Sequence, residues 1–162
     1  MNDFYTEQLV KRKTPASSLM LVGVCAALTI LSFLVIPLIP LGIILPFAFG
    51  FATYLIYQRT NLEYEYLYVN GEMDVDKIMA KTKRKKIFSC NVRNMEIVAP
   101  AGAPELRPFA NIKAKDFSSD MPDHKVYEMV LIENGEKTRI LFEPNDVILE
   151  GMRMLAPRKV IR

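Results

Sequence analysis

The stretch LEYEYLYVNGEMDVDKIM, residues 62–79, decides the fold class of the larger part of this chain. Its first eight residues alternate between two faces of an extended chain, with Leu62, Tyr64, Tyr66 and Tyr68 on the more apolar one. An alternation of period two predicts a β-strand. Asn70 and Gly71 follow, and such a pair accepts the two positive φ angles of a type I′ turn. Residues 72–79 are therefore predicted to pair back as a second strand.

The sequence downstream predicts four more strands. Residues 124–133, HKVYEMVLIE, and 136–143, EKTRILFE, flank Asn134 and Gly135, which predicts a second hairpin. Two shorter apolar segments lie between the hairpins, KIFSCNV at 86–92 and NMEIVAP at 94–100. Residues 101–123 carry a glycine and several prolines, which argues against regular structure there.

The last part of the chain predicts one amphipathic helix. In EPNDVILEGMRMLAP, residues 143–157, Asn145 supplies a cap, apolar residues recur at helical spacing, and Pro157 closes the element. Strands followed by a single helix predict an α+β fold, a small antiparallel β-sheet or barrel capped by the C-terminal helix. We place this domain at residues 61–162.

The sequence upstream of the first hairpin is uncharged from Thr14 to Gln58. A membrane-spanning helix needs about 20 apolar residues, so this run is about two spans long. Pro37, Pro40 and Gly42 are where a helix most easily stops and reverses. We therefore predict an N-terminal segment at 1–17 and a transmembrane helical hairpin at 18–57, with spans at 18–36 and 43–57. A re-entrant hairpin that never crosses the bilayer is the alternative.

The flanking charges predict the orientation of the hairpin. Lys11, Arg12 and Lys13 precede it, Arg59 follows it, and the turn between the spans has no charge. Positive residues stay on the cytoplasmic side of a membrane. The prediction is a multi-pass cell-membrane protein with both termini in the cytoplasm.

The strongest local signal for a binding site is KTKRKK, residues 81–86, predicted to lie between the second and third strands. Its candidate lipid-binding residues are Lys81, Lys83, Arg84, Lys85 and Lys86. Near an anionic leaflet, each such residue gains about 1 kcal/mol. A plain solvated turn explains the cluster equally well. No aromatic residue interleaves the run, which argues against nucleic acid as a partner.

Candidates for catalysis are weak. Asp74 and Asp76 have the spacing of a Mg²⁺ pair, but an acidic strand face has the same pattern. His124, the only histidine, is predicted to be a surface residue in a proline-rich loop. Cys25 and Cys90 are predicted to be free thiols, and Cys90 without a neighbouring histidine is a poor nucleophile. We predict that the protein is not an enzyme and has no catalytic residue, metal ion or cofactor.

Several segments resemble a known family. They are MNDFYTEQLVKRK, EYEYLYVNGEMDVDKI, RKKIFSCNV, EIVAPAG, FEPN and MRMLAPRKV. They resemble an uncharacterised family of clostridial-type bacterial two-span membrane proteins, a domain of unknown function. The order of the elements is similar to that of bacterial pleckstrin-homology-like membrane domains. The resemblance implies a bacterial inner-membrane origin and no assigned catalytic residue.

These observations favour a membrane-tethered binding module for protein or anionic lipid headgroups. The expected partners are the lipid bilayer, its anionic headgroups or another membrane protein, and the oligomeric state is left open. Two other classes stay open: a structural subunit of a membrane complex, and a membrane-bound enzyme that uses Asp74, Asp76 or Cys90.

Overall fold

The computed structural model describes residues 4–39 and 41–161, and the chain divides into two compact units. The first, here called the β unit, comprises residues 1–12, 63–78 and 84–162. The second, the helical unit, comprises residues 13–62 and 79–83. The boundaries between the units fall within two residues of the ends of strands.

The β unit contains two four-stranded sheets. The first sheet has, in spatial order, β1 (Tyr5–Lys11), β2 (Leu62–Val69), β3 (Glu72–Met79) and β4 (Lys83–Asn91). The second has β5 (Met95–Pro100), β7 (Tyr127–Glu133), β8 (Glu136–Phe142) and β6 (Ala114–Asp116). Strand β6 runs parallel to β8, whereas β5, β7 and β8 are antiparallel neighbours. The predicted α+β class is confirmed, and the second sheet is mixed rather than purely antiparallel.

Both predicted Asn-Gly hairpins are confirmed, between β2 and β3 and between β7 and β8. Asn70 and Gly71 have φ angles of 49° and 94°, and Asn134 and Gly135 have 51° and 82°. These are the positive angles that a two-residue type I′ turn requires. Each turn fixes the register of the two strands that it joins. A slip of one residue would move every core side chain to the other face of the sheet.

The predicted apolar face of β2 forms the centre of the core. Tyr64, Tyr66 and Tyr68 are at most 4% exposed. The Tyr66 hydroxyl donates to the Phe117 carbonyl at 2.7 Å and accepts from the Glu143 N–H at 3.2 Å. Burial raises the pKa of Tyr66. The hydroxyl is therefore held in its neutral form as a link between the two sheets.

The predicted C-terminal helix is confirmed as α3 (Asp146–Leu155). Asn145 caps it, since its side-chain oxygen accepts from the Ile148 N–H at 2.8 Å. Ile148 and Met152 are fully buried and join the core. The chain then returns alongside β5, where the Ile161 N–H donates to the Val98 carbonyl at 2.8 Å.

Two parts of the β unit differ from the prediction. The expectation of irregular structure at 101–123 is wrong for Ala114–Asp116, which forms β6, and for Pro104–Phe109, which forms a 3₁₀ helix. The N-terminal segment 1–17 contains β1, which pairs with β2 so that Lys11 lies opposite Glu63. The β-rich domain predicted to begin at residue 61 lacks this strand.

The helical unit consists of α1 (Ala16–Ser32), a 3₁₀ extension at Phe33–Val35, and α2 (Ile44–Thr60). The Thr14 hydroxyl donates to the Thr60 carbonyl at 3.2 Å, and a Cβ placed on Gly50 would lie 3.8 Å from Thr29 Cγ2. The start of α1 therefore meets the end of α2, and the helices pack antiparallel. A Cβ on Gly42 would lie 2.9 Å from the Ile36 Cα, so the turn requires glycine there.

Of the two predicted membrane spans, the structure supports one by length and composition. Within the described residues, the single helical segment long and apolar enough to cross a membrane is residues 16–35. Helix α2 has 17 residues and is shorter than this. The crossing by a second span stays a prediction. Pro40, one of the predicted helix breakers, lies outside the described residues.

Candidate functional site

The five predicted lipid-binding residues are all exposed, but they are divided between the units. Lys81 and Lys83 belong to the helical unit, and Arg84, Lys85 and Lys86 to the β unit. Strand β4 begins at Lys83, so most of the cluster is strand rather than the predicted turn.

Arg84 and Lys86 are bound by acidic residues of the same sheet. The Arg84 Nε donates to Asp76 Oδ2 at 2.5 Å, and its guanidinium also pairs with Glu65. Lys86 pairs with Asp74. Hydrogen bonds to these carboxylates raise the pKa of Arg84 and Lys86. Both cations are therefore less available to an external anion than their exposure suggests.

The same ion pairs occupy the carboxylates of Asp74 and Asp76, the candidate Mg²⁺ ligands. Burial alone would raise the pKa of Asp74, but hydrogen bonds from Lys86 and Ser89 outweigh this effect, so the pKa is lowered. Asp76 is 8% exposed and is held by Arg84. No group of three or more potential metal ligands occurs among the described residues. The two carboxylates thus hold the sheet's own cations.

The basic residues of the helical unit lie at one end of the helix pair. The unit contains no Asp or Glu, and its four cations are Lys13, Arg59, Lys81 and Lys83, here called the basic collar. The bond between Thr14 and Thr60 places Lys13 beside the end of α2, where Arg59 occupies the last turn. The Ala80 N–H donates to the Asn61 carbonyl at 2.8 Å, which ties the β3–β4 turn to the same end.

The turn that carries Lys81 has an unfavourable backbone conformation. Ala80 and Lys81 have φ angles of 48° and 57°, and the Thr82 N–H donates to the Met79 carbonyl at 3.1 Å. This is a two-residue turn like the Asn-Gly turns, but neither residue favours the left-handed region. Strain of this kind often lies where a side chain has a role.

His124 contacts two buried polar residues, Ser119 and Glu143, which the sequence did not reveal. Glu143, 6% exposed, accepts from the Ser119 N–H and hydroxyl, both at 2.7 Å. The His124 Nδ1 is 2.8 Å from the other Glu143 oxygen and 3.0 Å from the Ser119 hydroxyl oxygen. Since a carboxylate only accepts, Nδ1 carries a proton. His124 is thus at the surface as predicted, with its side chain 47% exposed, and its Nδ1 is also bonded to these two side chains.

This cluster does not have the geometry of a nucleophilic triad. In a Ser-His-acid relay, the serine and the acid contact opposite nitrogens of the imidazole. Here Ser119 and Glu143 contact the same nitrogen, and Ser119 is fully buried. The cluster fixes the loop before β7 to the end of β8.

Cys90 is also poorly suited to catalysis. It is 5% exposed, and burial raises its pKa to about 12. A thiol needs a lowered pKa and access to act as a nucleophile. Neither Cys90 nor the paired carboxylates therefore support the enzyme alternative, and the absence of enzymatic activity stays a prediction.

The sequence comparison agrees with the architecture. Two four-stranded sheets with a C-terminal helix in their core are consistent with a pleckstrin-homology-like domain. The chain belongs to the family described as Bacterial PH-like domain (DUF6106), which matches residues 2–162. The match includes β1 and both helices of the helical unit. Neither curated proteins nor solved structures give a significant match. The bacterial PH-like resemblance is confirmed, and its clostridial and two-span features stay predictions.

Proposed function

We propose that this protein is a membrane-anchored PH-like module whose basic collar binds anionic lipid headgroups. The observation that carries the proposal is the composition of the helical unit. The four cations of this unit lie at one end of its exposed apolar helices, and the unit contains no acidic residue. The β unit, whose Arg84 and Lys86 are already paired with acids, is then held at the membrane surface by the helices.

The surface of α1 favours lipid as its environment. Only Ser32 of this helix is buried, and Leu19, Met20 and Ile30 are 59%, 72% and 71% exposed. Contiguous apolar surface of this extent is rare on soluble monomers. A helix can occupy hydrocarbon because its backbone groups bond within the segment. Residues 16–35 would extend about 30 Å, which matches the hydrocarbon thickness of a bilayer.

Strand pairing supports an even number of crossings. Lys11 at the end of β1 lies opposite Glu63 of β2, so the segment between them leaves and rejoins the same sheet. If α1 crosses the bilayer, the chain has to cross back before Glu63. Helix α2, with 17 residues, is about 26 Å long, and slight bilayer thinning would accommodate the shortfall. The two ends of the helical segment would then lie on one side of the membrane, which the positive-inside rule predicts to be cytoplasmic.

Lys81 and Lys83 are the collar residues we expect to contribute most to headgroup binding beyond anchoring. Both are exposed, and neither has an ion pair within residues 4–39 and 41–161. Their long side chains can reach the headgroup layer from the end of an apolar helix. Lys85 is also exposed, whereas Arg84 and Lys86 have partners within the sheet and should contribute less.

The membrane topology is tested by labelling with a membrane-impermeant thiol reagent outside intact bacterial cells. Ile39, 51% exposed in the turn between the helices, and Ala101, exposed in the β unit, are each replaced by cysteine in a Cys25→Ser background. We expect the reagent to label Ile39→Cys and to leave Ala101→Cys unlabelled. A re-entrant hairpin predicts no label at either position. Label at Ala101→Cys would contradict the proposed orientation.

Headgroup binding is tested with the full chain reconstituted in vesicles that contain phosphatidylglycerol and phosphatidylcholine. Electron spin resonance of spin-labelled lipids measures the preference of the protein for each headgroup. We expect a severalfold preference for phosphatidylglycerol that falls in Lys81→Gln/Lys83→Gln and weakens with salt. The matched control, Lys113→Gln/Lys125→Gln, removes the same charge from the β unit. An unchanged preference in the collar variant would contradict the proposal and favour a protein partner.

A further inference from the structure

A cation-rich pocket lies in the β unit, beyond the end of α3. It has a volume of about 320 Å³ and is lined by Arg93, Leu155, Ala156, Pro157, Arg158 and Lys159. Arg93 belongs to the 3₁₀ turn Val92–Asn94 that follows β4. The segment after the helix is fixed, because the Lys159 N–H donates to the Ala156 carbonyl at 3.0 Å and the Val98 N–H donates to the Lys159 carbonyl at 2.7 Å.

The charges of this pocket are unbalanced. Three cations and no acidic residue line it. The Lys159 Nζ donates to the Met95 carbonyl at 2.7 Å and lies 3.9 Å from Glu96. The guanidinium groups of Arg93 and Arg158 are exposed and form no hydrogen bond or ion pair within the described part of the chain. Two unpaired guanidinium groups at one concavity suit a phosphate, which each can bind through two parallel hydrogen bonds.

The remaining lining is apolar, which restricts the ligand further. Leu155 is 41% exposed, and Ala156 and Pro157 continue this surface past the helix. A free inorganic anion would leave these groups in water, whereas a ligand with an apolar part would cover them. We infer that this pocket binds a phosphate group joined to an apolar body, from either a phospholipid or a soluble phosphate ester.

A structural role for the arginines is the competing explanation. Arg158 lies close to the negative end of the α3 dipole, where a cation stabilises a helix. Arg93 borders the same helix end from a different element, so this explanation covers both arginines. It predicts that removing the charges lowers the melting temperature without changing the affinity for any phosphate.

The test uses the purified full chain in detergent, titrated with inorganic phosphate and with phenyl phosphate by isothermal calorimetry. We expect saturable binding, with phenyl phosphate bound more tightly because its ring covers the apolar lining. Arg93→Gln and Arg158→Gln should each weaken phenyl phosphate at least about tenfold, the scale of a lost charged hydrogen bond. Arg107→Gln is the control, since Arg107 is an exposed arginine outside the pocket.

Nanodiscs identify the source of the phosphate. Enrichment of phosphatidic acid over phosphatidylcholine that is lost in Arg93→Gln/Arg158→Gln would assign the pocket to a phospholipid. Binding of phenyl phosphate without such enrichment would assign it to a soluble ester. Equal affinity of the double variant and the wild type, or no saturable binding to the wild type, would overturn the inference. The Lys81→Gln/Lys83→Gln collar variant should retain phenyl phosphate binding, so this test is independent of the proposed headgroup role.

Discussion

Replacing Ala80 and Lys81 by Asn and Gly should stabilise the protein and weaken its contact with anionic lipid. The native pair has φ angles of 48° and 57° in a two-residue turn. The two other such turns, at Asn70-Gly71 and Asn134-Gly135, have residues that favour these angles. The β3–β4 turn thus has the required geometry without the favoured residues.

The size of the effect follows from the backbone conformation. A side chain in the left-handed region costs about 1–2 kcal/mol per residue. Introducing glycine offsets about 0.5–1 kcal/mol of this gain, because glycine loses more conformational entropy on folding. The double replacement should therefore gain about 1.5 kcal/mol, which raises the melting temperature of a chain of this size by about 3–6 °C.

The assay is thermal unfolding of the full chain in detergent, paired with the lipid-preference measurement. Ala80→Asn alone keeps the Lys81 side chain, so it should stabilise the protein without changing lipid preference. Lys81→Gln removes the charge but keeps the strained backbone, so it should weaken the lipid preference without changing the melting temperature. A melting temperature that falls or stays constant in the Asn-Gly variant would refute the claim that this turn is strained.

Three further outcomes concern buried and paired groups. Glu143→Ala should lower the free energy of unfolding in urea by about 3 kcal/mol, because the buried Ser119 donors lose their acceptor. Glu143→Gln keeps an acceptor and should lower it by about 1 kcal/mol. Equal losses in the two variants would contradict this network. Cys90, with a pKa of about 12, should react with a thiol reagent at pH 8 only on unfolding, and rapid native labelling would disprove its burial. The pKa of Asp74 is lower in the folded state, so its contribution is complete above about pH 4 and is lost as the pH falls. Asp74→Asn should flatten the pH dependence of stability below about pH 4, and an unchanged profile would argue against the Lys86 pair.

The features that the sequence predicted are those encoded by neighbouring residues. Asn70-Gly71 specifies its turn through its own backbone preferences, and Asn145 caps α3 through an N–H three residues away. The alternation of β2 is also local; the strand it predicted is confirmed, and its tyrosines lie in the core. Such signals lie within one window of sequence, so they can be read without knowledge of the fold.

The features that the sequence did not predict depend on distant partners. In β1, only Val10 is buried and Leu9 is exposed, so the strand has a weak pattern and depends on its pairing with β2. Strand β6 has three residues and is defined by its parallel pairing with β8. Glu143 and His124 meet because β8 ends beside the preceding loop. The pairing of Arg84 with Asp76 could have been found by aligning β3 with β4 once β4 was known to begin at Lys83, whereas Glu65 lies on β2.

The position of β1 before the helices has a consequence for synthesis of the protein. A ribosome releases Tyr5–Lys11 before the apolar segment, but the β2 residues that pair with this strand begin at Glu63, after that segment has emerged. The nascent strand therefore has no β2 partner until the apolar segment has left the ribosome. A chain in which β1 fails to pair would leave β2 with an unpaired edge and Val10 outside the core, and such an edge can pair with another chain. Synthesis of the whole helical segment, residues 13–62, thus comes before completion of the β unit.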